Sequence, residues 1–355
     1  MSERIEEAPQ SVRPRSKTSP QDGSKLLGHL QFGKFSGVYC FALIFLLFAV
    51  WVPDTFLTSV TWKAILISQA FTGILALALL APLATGMFDL SVAQTMGFSA
   101  VVCGLLTTKG PQLGLVPAII VTLAVGVCIG MFNGFLCGIL GLDSLIATLG
   151  TTSLLTGLAA ALAKGSFVGP FSSSMTGLTS GSLFGVPIIA VYMLILGVIV
   201  WYALEHTPIG RRAYASGASP DAARLSGVRT QRYRFWSLVL CSTIAAGAGV
   251  LLASSLNSVS QTAGPEYLLP AFSAAFLGTT QIKPGRFNVW GTVLAIIILG
   301  TGIQGLQLAG ADIWITNIFF GSALILALST SLIVQRARGR REVKATQEER
   351  RQAGA

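Results

Sequence analysis

Long apolar segments occupy most of this chain and leave only short polar stretches between them. Apolar residues make up 52% of the sequence and charged residues 11%, and the mean hydropathy is +0.71. Soluble domains carry about 25% charged residues, so this composition excludes an ordinary soluble fold. Segments of about 20 apolar residues are long enough to cross the hydrocarbon core of a bilayer as helices. The sequence therefore predicts an all-α polytopic membrane protein.

Ten segments of the sequence are candidates for membrane-spanning helices. They lie near residues 37–53, 61–84, 90–107, 116–139, 144–163, 186–204, 235–256, 267–280, 287–308 and 313–334. The eighth segment is short and contains Pro270, so we expect either a half-helix or a re-entrant element there. The polar loop after the sixth segment leaves six segments before it and four after it, and ten segments are compatible with a two-fold internal repeat of five helices.

The basic residues are concentrated in three segments that flank apolar spans. Nineteen of the 24 Lys and Arg residues lie in the N-terminal tail, in the 205–234 loop or in the C-terminal tail. Cytoplasmic segments carry an excess of Lys and Arg, so ten crossings with both termini in the cytoplasm fit this distribution. Nine or eleven crossings would place the two tails on opposite sides of the membrane. The net charge of +10 could also suit nucleic acid, but no nucleic-acid fold signature accompanies it.

Three regions follow from this distribution. Residues 1–36 are expected to form a disordered cytoplasmic tail, residues 37–334 the transmembrane domain, and residues 335–355 a basic cytoplasmic tail. The N-terminal residues have no apolar core of their own, so they do not resemble a cleaved signal peptide. The five cysteines all lie in apolar spans without metal-ligand spacing and are expected to be packing residues.

The polar stretch 212–234 between two apolar segments has the signals of an ordered element. Ser219 suits the N-cap of a helix, Pro220 suits its first position, and Asp221 favours the positive end of the helix dipole. Gly227 can end the helix in the left-handed conformation. These signals predict a helix of about two turns, roughly 10 Å long, on the aqueous face of the membrane bundle.

Two polar side chains are expected at membrane depth. Asp89 follows a helix-breaking stretch that begins at Pro82, and it either caps the next helix or takes part in substrate passage or gating. The amide of Asn133 requires a hydrogen-bond partner or a water-filled cavity. The candidate residues for a translocation path or gate are Asp89, Ser91, Gln94, Asn133 and Thr148.

The fourth apolar segment carries a glycine every four residues. The four residues are Gly126, Gly130, Gly134 and Gly138. This spacing lines one helix face with glycine and allows another backbone to approach closely. Packing within one subunit, a subunit interface and the lining of a translocation path are all compatible with the pattern.

No enzyme site is expected in this chain. The segment from Gly28 to Lys34 has the spacing of a P-loop, but Phe35 stands where Ser or Thr must reach Mg²⁺. The two histidines, His29 and His206, lie in or beside polar segments and form no set with a serine and an aspartate.

Four ordered motifs resemble those of ribose-type permeases of bacterial ABC importers, in the branched-chain amino acid/ribose permease superfamily. They are the loop 215–228, Phe-Asp-Leu-Ser-Val at 88–92, Ile-Ala-Thr-Leu-Gly at 146–150 and Gln-Thr-Ala-Gly at 261–264. The resemblance extends over about residues 37–334. Ser219 replaces the usual Asn, and Met87 and Ala93 replace glycines, so close backbone approach near Asp89 is in question.

The resemblance implies a permease subunit that forms the translocation path of an ATP-driven importer in the bacterial inner membrane. Its expected partners are a second copy of the permease in a homodimer, a periplasmic or lipid-anchored solute-binding protein, and an ATPase subunit. ATP and Mg²⁺ would be used by that ATPase, and this chain is expected to bind no cofactor. The residues expected to contact the ATPase are Gly217, Ser219, Pro220, Asp221, Ala222, Ala223, Arg224, Leu225, Ser226 and Gly227.

The solute is expected to be a sugar or a similar small polar molecule. Few ionisable residues lie in the apolar spans, which fits a neutral solute better than a proton-coupled carrier. The alternative is a secondary transporter or channel for a small neutral solute that works without an ATPase. The sequence does not name the solute.

Overall fold

The computed structural model describes residues 32–108 and 113–330. The predicted C-terminal tail and nearly all of the predicted N-terminal tail lie outside these residues, as does the P-loop-like segment up to residue 31. The statements below concern the described part of the chain.

Helices account for most of the described residues. They are α1 (Phe32–Trp51), α2 (Pro53–Phe56), α3 (Ser59–Ala84), α4 (Val92–Thr108), α5 (Leu115–Gly134), α6 (Ser144–Ala163), α7 (Ser173–Thr176), α8 (Ile188–His206), α9 (Pro208–Ala218), α10 (Pro220–Leu225), α11 (Thr230–Leu256), α12 (Leu268–Gly278), α13 (Val289–Leu308) and α14 (Ile315–Thr330). A π-helical turn continues α5 over Phe135–Ile139, and a 3₁₀ turn precedes α12 over Pro265–Tyr267.

A helix lies on each of the ten predicted apolar segments, and six helices are long and apolar enough to cross a membrane. These six are α3, α5 with its π turn, α6, α8, α11 and α13. Of the other helices on these segments, α4 has 17 residues, α14 has 16 described residues and α12 has 11. A helix of 11 residues is about 16 Å long and does not by itself span a bilayer core. The protein is therefore a multi-pass membrane protein, and its ten crossings remain a prediction.

A small hairpin was not predicted from the sequence. Strands β1 (Ser182–Leu183) and β2 (Val186–Pro187) pair antiparallel within the Gly/Ser-rich stretch 165–185 and just beyond it. The short helix α7 lies in the same stretch. The fold class is all-α apart from this hairpin.

Helix α11 lies at the centre of the bundle and packs against α3, α4 and α5. Small residues allow these close contacts. A Cβ atom built on Gly249 of α11 would lie 2.9 Å from the backbone nitrogen of Ala100 in α4. Large apolar side chains fill the remaining space around α11, and Leu238 and Leu252 on this helix are fully buried.

The four glycines of α5 and its π turn all face α11 of the same chain. A Cβ atom on Gly126 would lie 2.9 Å from the carbonyl oxygen of Ser242, and one on Gly130 would lie 2.5 Å from the Cα of Val239. Gly134 and Gly138 lie equally close to Phe235. The glycine face thus serves helix packing within one subunit.

The connections between helices gather at two ends of the bundle. At one end, Tyr214 of α9 contacts Phe287, and Lys283 pairs with Glu205. At the other end, Val168 pairs with Val259 in an isolated β-bridge. The basic 205–234 loop therefore lies at the opposite end of the bundle from the uncharged stretch 165–185.

Candidate functional site

The polar residues singled out in the sequence surround a break between α3 and α4. Thr85, at the end of α3, has its hydroxyl 3.0 Å from the hydroxyl of Ser237 in α11. Asp89 lies beside Cys241, the twelfth residue of α11 and about 17 Å from its start. The non-helical residues 85–91 therefore lie near the middle of the bundle, where hydrocarbon tolerates irregular backbone only if it is enclosed by protein.

Side chains of α6 satisfy the backbone of this break. Ser144 Oγ accepts a hydrogen bond from the amide of Phe88 at 3.0 Å, and Thr148 Oγ1 accepts one from the amide of Leu90 at 3.0 Å. The hydroxyl of Thr152 donates to the carbonyl of Leu90 at 3.1 Å. Residues 144, 148 and 152 are four apart and therefore lie on one face of α6. We call residues 85–91 with this α6 face and Asn133 the break junction.

Asp89 is not the N-cap of α4, contrary to one of its two predicted roles. The first helical hydrogen bond of α4 runs from the amide of Thr95 to the carbonyl of Ser91, so Ser91 occupies the N-cap position. The carboxylate of Asp89 instead accepts from the amide of Ser91 at 3.0 Å and from its hydroxyl at 2.6 Å. Asp89 therefore fixes the turn before the helix. Asp and Asn side chains stabilise such turns because they bond to the backbone two residues further on.

Asn133 has the partners that its burial requires. Its amide nitrogen donates to Ser91 Oγ at 2.8 Å, and its amide oxygen accepts from Thr151 Oγ1 at 2.7 Å. This side chain thereby joins α5 to the start of α4 and to α6. Asn133, Asp89 and Ser91 are all fully buried. Of the polar side-chain atoms of these three residues, all but Asp89 Oδ2 have a hydrogen-bond partner in the described chain. These bonds hold the break in one conformation.

The structure brings four of the five path candidates into the break junction. Asp89, Ser91, Asn133 and Thr148 belong to it, and their predicted role in a path or gate stays a prediction. The fifth, Gln94, is buried on α4, and neither polar atom of its side chain has a hydrogen-bond partner among the described residues. Sequence reasoning missed Ser144 and Thr152, although their spacing of four from Thr148 is a signal for one helix face.

A second break lies between α11 and α12. Val259 pairs with Val168 at one end of the bundle, whereas Gly264, five residues on, contacts the first turns of α4. A Cβ atom on Gly264 would lie 3.1 Å from the carbonyl carbon of Ala93. The close backbone approach that was in question near Ala93 therefore exists, because the glycine is on the opposing segment.

The two breaks place the starts of two short helices side by side within the bundle. From this region α4 runs toward one end, where Gly104 lies against Phe171. Helix α12 runs toward the other end, where the carbonyl of Gly278 accepts from the side chain of Asn288 at 3.0 Å. The expectation that the eighth segment would be a half-helix or a re-entrant element agrees with this short helix.

The basic loop contains the expected short helix and one helix that was missed. Pro220 occupies the first position of α10, and Gly227 has a φ of +82°, as predicted for the residue after a helix end. Ser219 occupies the N-cap position, but its side chain makes no capping hydrogen bond, contrary to expectation. The preceding residues form α9, and α11 begins at Thr230, five residues before the predicted start.

Helix α10 exposes part of its surface and buries the rest. Leu225 has 91% of its surface exposed, and Ala222 is also exposed. Ala223, by contrast, is only 6% exposed. The expectation that all three face a partner is therefore wrong for Ala223, because the fold turns that residue toward the chain's own helices.

Helix α9 connects α10 to the membrane part at two places. Gly217 lies against the end of α3, and a Cβ atom there would lie 2.9 Å from the amide nitrogen of Gly86. The hydroxyl of Tyr214 donates to the carbonyl of Phe287 at 2.6 Å, and the guanidinium of Arg286 lies 3.7 Å from the centre of its ring. Burial raises the pKa of Tyr214, so this hydroxyl keeps its proton.

Comparisons with known proteins agree with this architecture. The family model for the branched-chain amino acid transport system / permease component matches residues 62–328. The chain is 31% identical to the autoinducer 2 import system permease protein LsrD of Salmonella paratyphi B, over 72% of this chain and 78% of that protein. LsrD of Photorhabdus luminescens is also 31% identical, with the same coverage of both chains.

A ribose permease is similar over a longer stretch. The chain is 31% identical to the ribose import permease protein RbsC of Bacillus subtilis, over 84% of this chain and 91% of that protein. No solved structure matches the chain. The family model covers most of the membrane part, including both breaks and the basic loop with α9 and α10. The chain thus belongs to the family of permease components of the branched-chain amino acid transport system, as a multi-pass protein of the inner membrane.

Proposed function

We propose that this chain is the permease subunit of an ATP-driven importer for a sugar or a similar small polar solute. A homodimer would form the path, a binding protein would deliver the solute, and a separate ATPase subunit would use ATP and Mg²⁺. Relatives named as importers of ribose and of autoinducer 2 support a small polar solute. Among the described residues, Asp89 is the acidic side chain that is fully buried. Such a small number of buried charges fits a path for a solute without net charge.

The exposed face of α10 is the observation that carries the coupling proposal. Leu225, with 91% of its surface exposed, and the exposed Ala222 form an apolar side of α10 on an otherwise basic loop, and we expect this side to meet an apolar surface of a partner. The short helix is held by α9 and by the start of α11. A force on α10 is therefore transmitted to these helices and is not lost in a flexible loop. The ATPase would receive this helix in a surface cleft.

The contacts of α9 provide a route from α10 to the two breaks. Gly217 touches the residues that open the break junction, and Tyr214 holds the turn between α12 and α13. A displacement of α10 therefore reaches the end of α3 and the end of α12 through one rigid helix. We propose that this displacement switches access to the path. The short helices α4 and α12, which run in opposite directions, also support an internal two-fold repeat.

Copurification and reconstitution test the proposed function. The tagged permease should retain the ATPase of its transport system, and proteoliposomes with both subunits should take up solute only with ATP and the binding protein. A non-hydrolysable ATP analogue serves as the control and should leave uptake at background. Uptake by the permease alone, without ATPase or ATP, would instead establish the secondary transporter or channel.

The orientation of the bundle gives a second prediction. In a variant without the five native cysteines, Ser182→Cys should react with a membrane-impermeant maleimide in intact cells, because the 165–185 end faces outward. Ser226→Cys should react only after the membrane is opened. Both positions are exposed, so access to the reagent is matched. Reaction of Ser226→Cys in intact cells would invert the proposed topology.

A further inference from the structure

A basic cavity at the loop end of the bundle plays no part in the contacts described so far. Its volume is about 580 Å³, and it lies between the start of α9, the segment after α10 and the first turns of α11. Three exposed arginines line it, namely Arg212, Arg229 and Arg232. Tyr233 also lines the cavity, and its hydroxyl accepts a hydrogen bond from Arg212 at 3.5 Å.

The charge of this cavity is not compensated by its lining. The lining residues of the described chain contain three guanidinium groups and no carboxylate. The two ion pairs found among the described residues, Arg224 with Asp221 and Lys283 with Glu205, involve other side chains. A group with several acceptor oxygens and negative charge fits three guanidinium forks, and a phosphate has this chemistry.

The other wall of the cavity is apolar and continues along a membrane helix. Trp236 lines the cavity with 56% of its surface exposed, and Ile209 lines it at the start of α9. Leu240, four residues after Trp236 and on the same face of α11, is also exposed. The face of α11 thus changes from arginine through tryptophan to leucine along one stripe. Tryptophan is typical of the level of lipid headgroups, with apolar residues deeper in the bilayer.

We propose that this cavity binds the phosphate of an anionic phospholipid, with the acyl chains along Trp236 and Leu240. A soluble phosphate would use the arginines but would have no need of the apolar stripe. The bound headgroup would fix Arg229, the last residue of the α10–α11 connection, relative to the membrane surface. The lipid would thereby set the position of α10. This inference requires only that the chain lies in a membrane and does not depend on the transported solute.

Native mass spectrometry of the full chain in detergent tests the site with phosphatidylglycerol and phosphatidylcholine of equal chain length. Phosphatidylglycerol should bind the wild type more tightly than phosphatidylcholine. The double variant Arg229→Gln with Arg232→Gln should lose roughly 30-fold in affinity for phosphatidylglycerol, as expected for two basic residues at an anionic lipid. The charge-matched control Arg211→Gln with Lys63→Gln also replaces two exposed residues and should bind as the wild type does.

A second measurement needs no arginine variant. Phosphatidylglycerol with brominated acyl chains should quench part of the tryptophan fluorescence, and this part should disappear in Trp236→Phe. Quenching that is unchanged in Trp236→Phe would place the acyl chains elsewhere and overturn the proposal.

Three further outcomes would also overturn it. If the charge-matched control lost as much affinity for phosphatidylglycerol as the arginine variant, the loss would be due to the net charge of the protein and not to this cavity. Binding of inorganic phosphate as tight as that of the lipid would make this a site for a soluble anion. Full lipid binding by the arginine variant, together with loss of the ATPase, would assign the cavity to the ATPase surface.

Discussion

Gly130→Leu is expected to prevent assembly of the membrane bundle. A Cβ atom at residue 130 would already lie 2.5 Å from the Cα of Val239, so a leucine requires the backbones of α5 and α11 to separate. Overpacking of this kind typically lowers the free energy of unfolding by about 1–3 kcal/mol. Because the clash here is with backbone atoms, we expect a loss at or above the upper end of this range. Since α11 is the central helix, the separation would also disturb α3 and α4. We expect little monodisperse protein after extraction in a mild detergent.

The matched control is Gly157→Leu on α6. Nothing lies within 4 Å of a Cβ atom built at that position, so the same substitution in another membrane helix meets open space. Fluorescence-detected size-exclusion chromatography of tagged variants compares the two. If Gly130→Leu gave the same monodisperse yield as Gly157→Leu, the close packing of α5 on α11 would be contradicted.

Leu225→Asp is expected to abolish uptake while leaving the permease folded. The side chain is 91% exposed in the described chain, so the substitution disturbs no internal contact. In the proposed complex it would place an unpaired charge in an apolar contact, which costs about 3 kcal/mol or more. Such a cost weakens an interaction by roughly a hundredfold. The measurements are pull-down of the ATPase and uptake of solute by cells.

Two further variants make this result specific to α10. Ser182→Asp adds the same charge to the exposed hairpin at the other end of the bundle, and it should retain both ATPase binding and uptake. Ala223→Asp is unsuitable as the main test because residue 223 is buried within the chain, so we expect it to lower the yield of folded protein. If Leu225→Asp captured the ATPase as the wild type does, α10 would not be the contact with the ATPase, and the loop would be a solvated connector.

The apolar segments of this chain and the ends of α10 were predictable because they follow from local physical chemistry. A run of about 20 apolar residues forms a membrane helix whatever surrounds it. Pro220 and Gly227 mark the ends of α10 because the proline ring fixes a helical φ, whereas glycine, which has no Cβ atom, adopts the positive φ that follows a helix end. The helix α9 was missed because it is short, contains two glycines and has only small residues on its buried face, so contacts with α8, α3 and α11 supply most of its stabilisation.

The polar candidates show the limit of this reasoning. Asp89 and Asn133 were identified because polar groups at membrane depth require partners, but the sequence could not say which partners they have. Those partners, Ser91 and Thr151, lie 42 and 18 residues from Asn133. Only the packing of α4, α5 and α6 brings them together. Local sequence also placed Asp89 as a helix cap, whereas the turn that it forms moves the cap to Ser91.

The sequence by itself determined that this protein is a bundle of membrane helices with a basic loop that carries a short exposed helix. Tertiary structure decided which residues of that helix are exposed, and it buried Ala223 while leaving Leu225 in solvent. It also decided that the glycine face of α5 meets α11 and that Gly264 approaches Ala93. The physical reason is the distance along the chain over which each kind of interaction acts. Helix formation and capping act within a few residues, whereas helix contacts depend on how distant segments fill a shared volume.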